Sequence, residues 1–235
     1  MPEARLSRRL YAAFLLVEGG VCVADIGTDH GYLPIELVKC GKAPSAIASD
    51  INPQPLEKAR ANIEREGLSL KIELRLTDGA VGLEDRAEEL VIAGMGGELI
   101  AEIVRKAEFT RKKGFHMVLQ PMTKTPELRR WLWDNGYRIT CEKYLEDSGH
   151  FYTVLSVHYT GESTEYTTLD AEIGKECHRV GLDNDGAYAL SCEIKLRLYD
   201  LNNKIQGKSR AGISCDAETE LYRGLSAILS SLERN

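Results

Sequence analysis

The residues best suited to chemistry begin in the segment ADIGTDHGYLP, which directly follows a short apolar run. Gly27 and Gly31 allow the backbone to turn sharply and to approach a ligand closely. The dinucleotide-binding pattern G-x-G-x-x-G is absent, because Asp29 stands where its second glycine would be. A carboxylate at that position repels a pyrophosphate but not a positively charged ligand. S-adenosylmethionine is such a ligand, since it carries a sulfonium and an ammonium group and has no phosphate.

Acidic and small residues also follow the next three strand-like runs of the sequence. Asp50 ends the second run, where a carboxylate can accept hydrogen bonds from both hydroxyls of a ribose. Asp78 follows the third run, where it can accept a hydrogen bond from an adenine amino group. The small residues after the fourth run leave space in which a methyl donor and an acceptor can meet. The predicted cofactor-binding residues are Asp25, Gly27, Asp29, His30, Gly31, Tyr32, Leu33, Asp50, Ile51, Asp78, Gly79, Ala80, Gly94, Met95, Gly96 and Gly97.

The elements that must position these residues alternate between strand and helix patterns. Five apolar runs separated by helix-like segments predict parallel strands with right-handed crossovers. Two further runs, Tyr137–Leu145 and Phe151–Tyr159, are joined by turn residues and predict an antiparallel hairpin. The expected fold class is therefore α/β, with a seven-stranded, Rossmann-like sheet of the class I methyltransferase type. The five runs are 21–26, 45–51, 71–76, 90–95 and 115–119.

The composition changes after Thr160, where a polar, linker-like segment begins. Beyond it, apolar residues recur at spacings of three and four, which predicts two antiparallel helices packed as in a short coiled coil. The expected domains are residues 1–160, a cofactor-binding domain, and residues 161–235, a helical domain. The two apolar seams are Ile194, Leu198, Leu201 and Ile205, and Leu221, Leu225, Ile228 and Leu232.

Composition narrows the class of protein. The 235 residues are 43% hydrophobic and 28% charged, which is typical of a globular protein and not of a disordered one. No apolar stretch approaches the roughly 18 residues of a membrane span, and no signal peptide is recognised. The net charge of −6 argues against indiscriminate binding of nucleic acid. The six cysteines are scattered, so we expect reduced thiols in a cytoplasmic protein and no metal site.

Several of these motifs together resemble one family, the bacterial tRNA adenine-22 N1-methyltransferases (TrmK). The similar segments are ADIGTDHGYLP, SDIN, TDGA, IAGMGG, LQPM and LEDSGHFY. The resemblance extends from about Arg5 to Tyr159 and more loosely over the helical part, which in that family is a two-helix, coiled-coil-like domain. It implies S-adenosylmethionine as methyl donor, N1 of a tRNA adenine as acceptor, and a place for Asp29 at the reaction centre.

On this interpretation Asp29 is the candidate catalytic residue. It would either stabilise the positive charge that develops on the methylated ring or hold the ammonium group of the donor. Basic clusters near the ligand edge would contact tRNA phosphates, and polar groups after the fifth strand would hold the extruded base. The predicted substrate-binding residues are Arg5, Arg8, Arg9, Gln120, Pro121 and Arg129.

Other functions remain open at this point. A methyltransferase acting on another RNA or on a small molecule would use the same donor site. A nicotinamide-dependent oxidoreductase would use Asp50 equally well, but Asp29 and the missing glycine argue against it. A noncatalytic RNA-binding or scaffold protein would leave the acids at the strand ends unexplained. We expect no membrane partner, and a monomer is favoured.

Overall fold

The apolar runs form a single mixed sheet in the computed structural model, which describes residues 6–234. Its strand order is β3-β2-β1-β4-β5-β7-β6. The first five strands pair in parallel, as the sequence predicts, and β7 pairs antiparallel with β5. The strands are β1 Val23–Ile26, β2 Ala46–Asp50, β3 Ile72–Leu76, β4 Glu89–Gly96, β5 His116–Thr123, β6 Tyr137–Asp147 and β7 His150–Tyr159.

Helices connect the parallel strands except for β3 and β4, which residues 77–88 join without a helix. All four residues of β1 are buried, as expected for a central strand covered on both faces. An additional helix, α1, precedes β1 and has no counterpart among the predicted elements. Proline at the first position of α3 and glycine just after its end are the sequence signals that set its limits. The helices of this part are α1 Arg8–Leu16, α2 Tyr32–Lys39, α3 Pro53–Arg65, α4 Gly97–Lys106 and α5 Thr125–Asp134.

The remaining helices follow the hairpin and form their own apolar core. The longest are α8 and α9, which pack against each other as the two seams predict. Ile194, Leu201 and Leu225 of the seams are buried, whereas Ile205 is only partly covered. Tyr144, from β6, joins this core and donates its hydroxyl hydrogen bond to the Ile173 carbonyl (2.8 Å). These helices are α6 Thr168–Ile173, α7 Glu176–Arg179, α8 Asn184–Arg210 and α9 Asp216–Leu232.

The chain divides into two compact units. The first contains the residues up to Lys143 together with Thr153–Glu165, and the second contains Tyr144–Tyr152 together with the residues from Tyr166 onward. Compared with the predicted division at Thr160, the polar segment after β7 belongs to the first unit, and the tip of the hairpin belongs to the second. None of the helices in the part of the chain that the structure describes has the length and apolar character of a membrane span.

Candidate functional site

Strand register places the predicted cofactor residues at one edge of the sheet. Ile26, the last residue of β1, pairs with Ser49 of β2 and with Ile92 of β4. β1 and β2 therefore end side by side, next to the carboxyl-terminal half of β4, which continues to Gly96. Asp50 pairs in turn with Leu76 of β3, and the next turn carries Asp78. This edge lies where the strand order reverses, which is the usual ligand position in an open α/β sheet.

The turn after β1 depends on two glycines. Gly27 and Gly31 have φ of +79° and +69°, a left-handed conformation that other residues rarely adopt. The Gly27 amide donates a hydrogen bond to the Ser49 carbonyl (2.8 Å), which ties the turn to the end of β2. A Cβ atom on Gly27 would collide with the methyl group of Met95, and one on Gly31 would lie 3.2 Å from the Cβ of Ala59. The turn after β1 is therefore in direct contact with the carboxyl-terminal end of β4.

Asp25 is the buried acid of this edge. Asp25 is a residue of β1 and its side chain is buried. Burial raises the pKa of its carboxyl to about 6, because the charged form loses its hydration. The side chain of Thr28 opposes this rise, whereas the nearby charge of Asp50 adds to it. The carboxyl of Asp25 is thus poised to change its charge near neutral pH, and a cation bound beside it would favour the ionised form.

Asp29, the candidate catalytic residue, is exposed at the surface of the same turn. Its side chain is 70% exposed and lies 3.2 Å from Nε2 of His30 and 3.9 Å from Nζ of Lys58. His30 stacks on Tyr32, with ring centroids 5.2 Å apart and planes within 7°. The ring of Tyr32 is half exposed. A carboxylate and a flat aromatic face are therefore presented together, whereas Leu33 turns its side chain into the core.

Asp50 and Asp78 differ in their surroundings. Oδ1 of Asp50 accepts a hydrogen bond from the Asn52 amide (2.7 Å), which fixes the carboxylate at the end of β2. Ile51 next to it is exposed and offers an apolar surface. Asp78 is exposed, with its Oδ2 3.9 Å from Nζ of Lys106. Of the two residues after Asp78, Ala80 is buried, and Gly79 has φ of +60° and packs against Ile103.

Comparison with known proteins decides the family. Residues 6–155 match the model of a methyltransferase domain. A Bacillus subtilis tRNA (adenine(22)-N(1))-methyltransferase is 36% identical over 177 residues, which are 74% of this chain and 74% of the relative. The chain belongs to this methyltransferase family.

Solved structures of family members superpose on nearly the whole of this chain. The B. subtilis m1A22 tRNA methyltransferase TrmK superposes with a TM-score of 0.78 at 28% identity and covers 99% of both chains. A candidate tRNA (m1A22) methyltransferase of Streptococcus pneumoniae, in complex with S-adenosyl-L-methionine, gives 0.81 at 29% identity, covering 95% of this chain and 99% of the other.

One hydrogen-bond network, near the edge of the sheet that carries the predicted cofactor residues, is not among the predictions. Gln120 is fully buried within β5, and its Oε1 accepts from Nη1 of Arg9 (3.1 Å) and from the Gly94 amide (3.0 Å). Its Nε2 donates to the carbonyl of Pro121, which is also buried. Arg9 and Gln120, which are both expected to meet substrate, therefore bind each other, and Gln120 also holds Gly94 near the carboxyl-terminal end of β4. A glutamine that directly follows the apolar residues MVL is the available sequence signal.

The prediction for Arg129 needs correction. Its side chain is fully buried and donates to Glu142, with Nη2 and Oε2 2.6 Å apart. The reason lies in the spacing of α5, because Leu128, Leu132 and Trp133 share its buried face. Arg129 therefore offers no charge to a tRNA phosphate. Arg8 is exposed, as expected.

The last predicted substrate residue, Arg5, falls outside the described residues.

Gly96 and Gly97 stand at the start of α4, where a Cβ on Gly97 would meet the Lys124 carbonyl.

Proposed function

We propose that this protein transfers a methyl group from S-adenosylmethionine to N1 of adenine 22 in tRNA. The observation that carries the proposal is the match to the B. subtilis enzyme over three quarters of both chains. The same matches favour a methyltransferase over a nicotinamide-dependent oxidoreductase or a noncatalytic RNA-binding protein. A tRNA substrate also supports a cytoplasmic location, and we propose a monomer as the working form.

The residues at the strand ends fit this donor. Four carboxylates, those of Asp25, Asp29, Asp50 and Asp78, lie in or just after the last residues of neighbouring strands, so the edge suits a cationic ligand without phosphate. The left-handed glycines of the first turn keep Cβ atoms away from the path of a closely bound nucleoside. When bound, the donor supplies a methyl group activated on a sulfonium.

The roles of the chain's own residues follow from their places. Asp50 accepts hydrogen bonds from the ribose hydroxyls and Asp78 from the adenine amino group of the donor. Asp25, once ionised, pairs with the ammonium group. The glycine-rich segment IAGMGG, held by Gln120, leaves room for the acceptor.

Catalysis then rests mainly on alignment. N1 of adenine has a lone pair in the plane of the ring, so no general base is needed before attack, and positioning supplies most of the acceleration. N1 lies on the pairing edge, so the base must leave its pair and stack. The exposed face of Tyr32 can hold the extruded ring, and the carboxylate of Asp29 beside it stabilises the positive charge that the product ring acquires.

The deciding experiment is transfer of a labelled methyl group to unmodified tRNA, followed by mapping of the modified nucleoside. We expect label at adenine 22 and none in a tRNA that carries guanine at this position. Equal labelling of both tRNAs would remove the assigned substrate, and no labelling despite confirmed donor binding would remove tRNA altogether. In Asp29→Ala, loss of turnover with unchanged donor affinity supports the charge-stabilising role, whereas loss of donor binding by calorimetry contradicts it.

Arg5 and Arg8 are the proposed contact with tRNA phosphates; Arg8 is exposed, and Arg5 lies outside the described residues. Each phosphate contact adds about 0.9 to the slope of log affinity against log salt concentration for duplex nucleic acid. The double reversal Arg5→Glu with Arg8→Glu should weaken tRNA binding and flatten this slope. Lys71→Glu is the matched control, because Lys71 is exposed before β3, at the opposite edge of the sheet. An unchanged slope in the double variant would discard this docking surface.

A further inference from the structure

A row of polar side chains crosses the amino-terminal edge of the sheet, away from the proposed donor site. Glu89 is the first residue of β4 and pairs in register with His116, the first residue of β5. His116 pairs in turn with His158 of β7. The rings of the two histidines lie close together, with centroids 4.5 Å apart. Glu18, from the loop between α1 and β1, completes the group.

The inner half of this row is buried and fully hydrogen bonded. Nδ1 of His116 lies 2.6 Å from Oε1 of Glu89, and its Nε2 lies 2.8 Å from the hydroxyl of Ser156. Glu89 also accepts hydrogen bonds from the backbone amides of Glu18 (2.9 Å) and Gly19 (3.0 Å). Glu89 and His116 are 1% and 4% exposed. Such a network holds its members in fixed orientations.

The outer half of the row opens to solvent. Nε2 of His158 lies 3.0 Å from Oε1 of Glu18, and its Nδ1 lies 3.4 Å from the hydroxyl of Thr140. The Glu18 side chain is 60% exposed and that of His158 is 24% exposed. An ion from solvent could therefore reach these two side chains directly.

We propose that Glu18, His116 and His158 form a binding site for a divalent transition-metal ion of the zinc class. One ligand atom from each residue lies within 4.8 Å of the other two. Two imidazole nitrogens and one carboxylate oxygen are the donor set of many three-ligand zinc sites, in which water takes the fourth position. A site with oxygen ligands alone would favour Mg²⁺ or Ca²⁺, whereas the two histidine nitrogens favour a transition-metal ion such as Zn²⁺.

The neighbours of these ligands are those that metal sites usually have. Whichever nitrogen of His116 binds the ion, the other keeps a partner, the carboxylate of Glu89 or the hydroxyl of Ser156, and so its ring stays oriented. The hydrogen bond from His158 to Glu18 holds one proton, which leaves to solvent when the ion takes its place. The Thr140 hydroxyl remains beside the second nitrogen of His158.

The proposed metal site lies too far from the donor edge to take part in catalysis, so its role would be structural. β4 rises by roughly 3.3 Å per residue, so Glu89 stands about 13 Å from Ala93 at the donor edge. The ion would therefore join the loop before β1 to β5 and β7 and raise the stability of the first unit, without taking part in methyl transfer. The expectation of no metal site came from the absence of ligands at short spacing, whereas these three come from distant parts of the sequence and meet through strand pairing.

The test uses the full chain without an affinity tag, stripped with a chelator and titrated with Zn²⁺ by calorimetry, and with Co²⁺ by visible spectroscopy. We expect one ion per chain, a rise in melting temperature on binding, and a Co²⁺ spectrum without thiolate bands, which sets the site apart from the six cysteines. Glu18→Gln and His158→Gln should each weaken binding by at least about tenfold. The matched control is His150→Gln, at the exposed start of β7.

Each result bears on the proposal. Wild-type affinity in both Glu18→Gln and His158→Gln, or a Co²⁺ spectrum dominated by thiolate, overturns it, as does failure of the chain to bind either ion. Because Glu18 is largely exposed, its substitution should leave the melting temperature of the metal-free protein unchanged, so a loss of affinity in this variant reports coordination and not unfolding.

Discussion

Replacing Arg129 by methionine should destabilise the protein strongly while leaving tRNA recognition intact. Arg129 and Glu142 are both fully buried, with Nε of Arg129 3.2 Å from each carboxylate oxygen and Nη2 2.6 Å from Oε2. Arg129→Met keeps the unbranched apolar stem of the side chain but removes the charged guanidinium group. Glu142 is then left buried without its cationic partner.

The size of the destabilisation follows from the loss of the cationic partner of Glu142. Removing one member of a buried ion pair costs about 3–5 kcal/mol. For a chain of this length, each 1 kcal/mol shifts the melting temperature by roughly 2–4 °C, so we expect a fall of roughly 6–20 °C. The double variant Arg129→Met with Glu142→Leu removes both charges together. Its free energy of unfolding should return to within about 1 kcal/mol of the wild-type value, because an apolar pair of similar volume often replaces a buried ion pair at no cost.

Urea unfolding followed by tryptophan fluorescence is the suitable assay. The two tryptophans of the chain, Trp131 and Trp133, stand on α5 with Arg129, so the signal reports the unfolding of the first unit. A single variant within about 1 kcal/mol of wild type, or a double variant as unstable as the single one, would contradict this prediction. A lower salt slope of tRNA binding in the folded single variant would restore Arg129 to the docking surface.

Three further outcomes follow from the site. Gly27→Ala should weaken S-adenosylmethionine binding at least about tenfold by calorimetry, because the new methyl group collides with Met95 and the φ of +79° is strained; unchanged affinity contradicts the close approach at this turn. Because burial raises the pKa of Asp25 to about 6, its carboxyl is protonated below that pH, so donor affinity should rise as pH rises through about 6 and should stay flat in Asp25→Asn. Gln120→Leu removes the acceptor that holds the Gly94 amide, so the methyl-transfer rate should fall about tenfold while donor affinity changes less than about threefold; equal losses in both would make Gln120 a general structural residue.

The sequence predicts the sheet well, because each strand is a short apolar run with a breaker after it. Parallel pairing follows from right-handed crossovers, and the hairpin follows from the turn residues between its two runs. The strand order is known only from the structure. The acids at the strand ends could be placed at one edge for the same reason, and the register of Ile26 and Asp50 agrees with that placement. The ligand roles of these residues stay predictions until donor binding is measured.

Side-chain partners are the part that the sequence does not reveal. A run of basic residues looks the same whether an arginine faces solvent or the core, and only the packing of α5 shows that Arg129 faces inward. The sequence likewise does not show that Gln120 accepts a hydrogen bond from Arg9, because that contact exists only once α1 has packed beside β5. His116 and His158 are adjacent only after β7 has paired with β5. In each case the deciding contact joins residues far apart in the chain.

The shared hairpin also limits how this protein can be divided or recombined. The chain passes between the two units three times, after Lys143, Tyr152 and Glu165. A polypeptide that begins after Thr160 would lack Tyr144, which belongs to the core of the helical unit. Neither unit is a continuous stretch of the gene, so a single crossover cannot exchange the helices for those of another protein. The helical unit can be gained, lost or grafted only together with the tip of the hairpin.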